Sequence, residues 1–207
     1  MEFIDNWYKQ ARAIVTQPKE FFKKMPTSGG FGEPYWFAVV NMLISFILSA
    51  GFTFASMDAE FEMALQYLGI NVPIFMLIMV PVVFVLGSIG LFLSSGIYHL
   101  FLKLVGAKKN YEATFRVLAY LSVFNVFTSV SSLNSQIIDL VVFVFVLYVL
   151  YIMIYALKEV HEISFLRSAI AVLLPVVVIS IMIVIVVILV AVVYMGGIMP
   201  PVDFAGV

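Results

Sequence analysis

The sequence contains no cysteine. That excludes disulfides, thiolate nucleophiles and cysteine-ligated metals. Charge is scarce as well: 11% of the 207 residues are Asp, Glu, Lys or Arg, against roughly 25% in an ordinary globular domain. Histidine occurs only as His99 and His161. Val160-His161-Glu162 continues into Ile163-Ser164, so no second histidine follows one turn later as a zinc-protease helix requires. There is no Gly-x-Ser-x-Gly elbow and no glycine-rich phosphate loop. No catalytic residue, cofactor, metal or nucleic-acid partner is expected, and the chain is not expected to be an enzyme. No cleavable signal peptide is expected either, because polar and amphipathic residues precede the first apolar run.

What is abundant is apolar surface. Hydrophobic residues make up 64% of the chain, more than a soluble domain of this size can hide. Crossing about 30 Å of hydrocarbon takes about 20 helical residues, and helices satisfy their own backbone where no water is available. The expected fold class is therefore an all-α membrane protein, a bundle of five transmembrane helices. The spans are placed at 34–57, 73–102, 112–130, 136–157 and 167–195. Pro81 and Pro175 are expected bends. Ser131, Ser132, Asn134 and Ser135 form a short polar turn between spans three and four. Those two spans are also compatible with a re-entrant hairpin, which would leave every other loop on the same side.

Five spans put all 11 basic residues on one side. Lys9, Arg12, Lys19, Lys23 and Lys24 precede span one. Lys103, Lys108, Lys109 and Arg116 flank the link between spans two and three, and Lys158 and Arg167 the link between four and five. Asp58, Glu60, Glu62 and Asp203 fall on the other side. The positive-inside tendency makes the basic side cytoplasmic. Residues 1–33 are then a cytoplasmic segment, 34–195 the membrane domain, and 196–207 a short external tail.

Phe3, Ile4, Trp7, Tyr8, Ala11, Ile14 and Val15 repeat at helical spacing, with Glu2, Asp5, Lys9 and Arg12 opposite. This predicts an amphipathic interfacial helix on the inner leaflet. Thr16-Gln17-Pro18 ends it and starts a second short helix. Phe61, Ala64, Leu65 and Leu68 predict another short amphipathic helix, stopped by Gly69.

Three segments taken together resemble a known family. They are Pro18-Lys19-Glu20-Phe21-Phe22 with the Gly29-Gly30 turn; Leu104-Val105-Gly106-Ala107-Lys108 through Tyr111-Glu112-Ala113-Thr114-Phe115-Arg116-Val117-Leu118-Ala119-Tyr120; and Tyr155 through Ser164. Over roughly residues 15–195 the chain resembles the Yip-domain (Ypt/Rab-interacting) membrane proteins, in the compact form of prokaryotic members. The resemblance implies five spans, a cytosolic N-terminus, a role in membrane organisation or traffic, and association with lipidated small GTPases. The family's Asp-Leu-Tyr-Gly-Pro type signature is absent; Gly32-Glu33-Pro34-Tyr35 stands nearest to it.

Individual residues suggest packing and interface roles. Asn41, Ser45 and Ser49 form a polar stripe on span one, expected at a helix–helix contact. Asn125 is its counterpart on span three and a candidate partner for the Tyr148 hydroxyl. Tyr148, Tyr151 and Tyr155 form a stripe on span four. Asp139, the acid inside a span, lies near the outer start of span four, where a helix N-terminus stabilises it. His99 and His161 fall near two cytoplasmic helix ends, with Glu159 and Glu162 as conceivable neighbours. The expected partners are the lipid bilayer with its anionic headgroups, a membrane or peripheral protein, and a second copy of the chain. The reading is a membrane organiser or adaptor; a small-solute transporter or channel is the alternative.

Overall fold

A computed structural model describes residues 2–56, 63, 65–67, 69–133 and 135–198. Asp58, Glu60, Glu62, Phe61, Ala64, Leu68, Asn134 and residues 199–207 lie outside the described residues. Among the described residues there are helices and no strands. The order is α1 (Glu2–Thr16), α2 (Pro18–Lys24), α3 (Gly32–Ser56), α4 (Val72–Leu104), α5 (Tyr111–Leu121), α6 (Val123–Thr128), a 3₁₀ turn (Ser129–Leu133), α7 (Gln136–His161) and α8 (Phe165–Ile198). Five stretches are long and apolar enough to cross a bilayer: Gly32–Thr53, Val72–Leu104, Tyr111–Leu133, Gln136–His161 and Phe165–Tyr194.

Local chemistry sets the helix ends. The Asn71 side chain accepts from the Ile74 amide at 2.9 Å and opens α4, with Pro73 in the first turn. Asn110 caps α5 through the Ala113 amide at 3.3 Å, and Ser164 accepts from the Arg167 amide at 3.3 Å at the start of α8. Gly106, at φ 89°, closes α4. Its amide bonds the Lys103 carbonyl and that of Ala107 bonds Leu102, the paired bonds of a left-handed helix stop. Glu162 does the same for α7 at φ 55°, without being glycine. The helices run on through Pro81 and Pro175.

Span three is not one helix. It breaks at Ser122, whose hydroxyl bonds back to the Ala119 carbonyl at 2.6 Å, and finishes as a 3₁₀ turn. Backbone-directed serine bonds of this kind compete with the helix ladder. This span is nonetheless the centre of the bundle: Val117, Tyr120 and Phe124 are buried among Phe22, Phe37, Ile152 and Leu157 from the surrounding helices, and Phe115 on another side against Ala38 and Leu91.

α3 and span three run side by side in the same direction. Glu33 lies by Arg116, Asn41 by Ser122, and Ser45 by Ser129. Beyond that last contact α3 continues for ~16 Å but the 3₁₀ turn for only ~8 Å. At the other edge Ser168 of α8 bonds the Ile154 carbonyl of α7 at 2.7 Å. From there α8 extends ~18 Å further than α7 does. Among the described residues, packing is therefore densest at the basic end.

The amphipathic N-terminal helix belongs to that packed end. Ala11 and Ile14 of α1 are buried in the bundle, and Trp7 lies 6.5 Å from Phe37, centroid to centroid. Phe3, Ile4 and Tyr8 stay exposed. The apolar face of the expected interfacial helix is thus divided, because α1 has protein as well as solvent or lipid to cover it.

Candidate functional site

The polar side chains at the basic end fall into two connected groups. The first is built on Arg116, a helical arginine only 2% exposed. Its guanidinium donates to the Gly30 carbonyl at 2.8 Å and faces Glu112 at 3.9 Å and Glu33 at 3.8 Å. Glu112 in turn accepts from the Gly30 amide at 2.6 Å, and Glu33 accepts from the Gln10 side chain. The Gly29–Gly30 turn can approach this closely because both residues have positive φ (124° and 89°), a region open to glycine. One buried cation therefore ties together α1, the turn before α3, α3 and α5. A charge taken from water this completely is tolerated because carboxylates and a carbonyl meet it. Its Nε is left without a partner among the described residues.

The second group is a relay of rings and a hydroxyl. Thr114 Oγ1 lies 2.9 Å from His99 Nδ1 and 3.0 Å from His161 Nε2. The hydroxyl can donate to one ring nitrogen and accept from the other, so it orders both rings. Nδ1 of His161 is buried without a partner among the described residues. The two histidines are thus brought together, as the ends of α4 and α7 meet over α5. The acids conceived as their neighbours are elsewhere: Glu159 pairs with Lys158 and Glu162 with Lys109. Among the described residues no three His, Asp or Glu side chains converge on a metal-sized site.

α2 reaches the same end from outside. Lys19 Nζ sits 5.3 Å from the ring centroids of both Tyr151 and Tyr155. Its hydrogen bond with Tyr151 holds the ammonium above the ordinary lysine pKa. Phe21 meets Tyr120 edge-on at 5.1 Å. The Lys109–Glu162 pair, at 2.7 Å, links the two turns beneath, and the lysine keeps the Glu162 carboxyl below the ordinary range.

The remaining candidates are distributed through the bundle. Asn41 is fully buried and donates to the Phe37 carbonyl (2.9 Å) and to Ser122 (3.2 Å). Ser45 contributes its carbonyl to Ser129 at 3.2 Å, while its own hydroxyl has no partner among the described residues. Ser49 is half-buried one turn further on. Asn125 is exposed along a groove between α4 and α7, and no hydrogen bond joins it to Tyr148. Tyr148 instead packs on Phe124 (6.3 Å) and Phe145 (6.1 Å). Asp139 is exposed in the first turn of α7.

Sequence reasoning alone passed over Glu33, Thr114 and the burial of Arg116. The Glu112/Arg116 spacing of one helical turn was the available signal. Glu33 and Gly30 carry none, since they reach Arg116 only through the fold.

Membrane-length helices, a lipid-facing exterior and polar groups bonded to one another at one end define an integral, multi-pass α-helical membrane protein. The model of the Yip1 domain matches residues 12–198, and the chain belongs to that family. No curated protein and no solved structure matches the chain.

Proposed function

We propose that this Yip-family chain is a non-enzymatic organiser or adaptor of a prokaryotic cell membrane, with its basic end and N-terminus cytoplasmic and its C-terminus outside. Residues 1–33 form the cytoplasmic docking segment and 34–195 the membrane domain. The observation that carries this reading is the docking of α1. Ile14, Phe22 and the Gln10–Glu33–Arg116 chain dock the N-terminal helices on the bundle, while Phe3 and Ile4 remain 55% and 65% exposed. Exposed apolar side chains on a docked helix suit an apolar partner at the membrane boundary. The partner is a membrane or peripheral protein or a second copy; a lipidated small GTPase is suggested by the family.

The test is crosslinking in native membranes followed by mass spectrometry. The double substitution Phe3→Glu, Ile4→Glu is expected to remove the partner or oligomer bands. Unchanged crosslinks would count decisively against the role. Deleting residues 1–24 is a poorer test, since it strips Ile14 and Phe22 from the core.

A second reading, a conduit for a small neutral solute, is favoured by one feature. A groove of about 420 Å³ between α4 and α7 exposes Ser94, Tyr98 and Asn125 within an apolar surround. Solute flux in liposomes, with Asp139→Asn as the control for ion coupling, separates the two readings.

A further inference from the structure

A crevice of about 310 Å³ lies between α1 and the α3–α6 pair, walled by Val15, Ile44, Val123, Val126 and Phe127. Aliphatic walls alone would need nothing but an acyl chain from the bulk bilayer. Three polar features set this crevice apart. Asn41, on one wall, is fully buried and its Oδ1 has no partner among the described residues. Its amide cannot be turned round to cure this. The Ser122 hydroxyl already donates to Ala119, so it must accept from Asn41 Nδ2. Trp7, on the opposite wall, has a buried Nε1–H that likewise lacks a partner. Arg12 at the rim is exposed, and no carboxylate of the described residues pairs with it.

A buried acceptor, a buried donor and an unpaired cation around one hydrocarbon-lined space define a complementary ligand. It carries an anionic group, a hydroxyl that can both accept and donate, and a hydrocarbon tail. We propose that the crevice binds one anionic glycerophospholipid with a hydroxylated headgroup. Its phosphate meets Arg12, its hydroxyl lies between Trp7 and Asn41, and an acyl chain runs along Ile44, Val126 and Phe127. Such a lipid becomes a structural wedge that completes the docking of α1. The inference rests on α1 lying at the membrane boundary and not on the adaptor role, whose test uses Phe3 and Ile4 instead.

Tryptophan quenching tests it directly. The chain has two tryptophans, so Trp36→Phe leaves Trp7 as the reporter. The full chain is reconstituted in phosphatidylcholine vesicles containing a minor fraction of dibrominated phosphatidylglycerol or, in parallel, dibrominated phosphatidylcholine. Saturable quenching that favours phosphatidylglycerol is expected. Arg12→Gln should reduce that preference about fivefold, the size of one interfacial basic contact. Val126→Phe, which fills the crevice without touching a charge, should abolish quenching by either lipid. Lys9→Gln, on the same helix but away from the crevice, should leave the preference intact. Equal quenching by the two lipids in the parent would overturn the proposal. So would unchanged quenching in Val126→Phe, or a loss in Lys9→Gln as large as in Arg12→Gln, which marks diffuse surface charge.

Discussion

Span three and span five are opposites. Span three is broken, contains Arg116 and four serines from its middle to its end, and 67% of its most apolar window is buried. Span five is the most apolar stretch of the chain, runs as one helix, and none of its most apolar window is buried within the protein. In a soluble protein the greasiest helix would be the central one. Here the order is reversed, because lipid is as apolar as any helix and gives no hydrophobic drive to bury a Val/Ile/Leu face against protein. What draws a helix to the centre of a membrane bundle is what lipid cannot satisfy: hydrogen-bonding groups, and side chains whose shapes interlock. Span three carries Thr114, Arg116, Ser122 and Ser129, each bonded to a different neighbouring element or to its own backbone.

The sharpest way to break this contrast is Arg116→Ala. It leaves Glu33, Glu112 and the Gly30 carbonyl facing an emptied site and frees α1 and the Gly29–Gly30 turn. A loss of about 3–5 kcal/mol is expected, the range for removing one partner of a buried ion pair. It should read as a large drop in thermal stability and monodispersity of the detergent-solubilised protein. An unchanged melting temperature would mean that span three is not held centrally by its polar groups.

A smaller effect tests the same idea without charge. Thr114→Val keeps the shape and removes the hydroxyl between His99 and His161. Two ring nitrogens then lose their partner, at a cost of about 1–3 kcal/mol. Thr114→Ser, measured beside it, should restore most of the loss, which a pure packing role would not do.

At the other end of the scale is Val184→Ala in span five, at a side chain 56% exposed. Lipid replaces the lost methyls, and the change should stay within ~0.5 kcal/mol. A loss as large as that of Thr114→Val would show that a protein surface, not lipid, covers this helix.

Much of this was readable in advance. The five apolar stretches stand out because each is long enough to cross hydrocarbon on its own. Helix boundaries at Asn71, Asn110 and Ser164 follow from side chains that accept from backbone amides three residues on, and the one at Gly106 from a positive φ open to glycine. The pairing of His99 with His161 was visible as two polar residues at helix ends expected on the same side. Their bridge through Thr114 was not, because an isolated threonine in a helix has no distinguishing pattern. Tyr148 was expected to seek Asn125 and found aromatic rings instead, since the rotation of α7 about its axis is set by packing at Phe124 and Phe145. The division of the α1 face was equally hidden: its periodicity marks an apolar side but does not say whether protein or lipid covers which part.

By itself, then, the sequence determined that this is a five-span helical membrane protein with its basic residues gathered at one end, several of its helix caps, and the family resemblance. All of these depend on the run length of apolar residues, on caps, or on short motifs, which act locally. The tertiary structure alone decided that the least apolar span is the central one, that Arg116 joins Glu33 and Gly30, and that α1 is docked with a crevice beneath it. Those outcomes depend on how segments distant in the chain sit against each other. Apolar side chains facing lipid and facing protein are indistinguishable by hydropathy, so only the packed arrangement tells them apart.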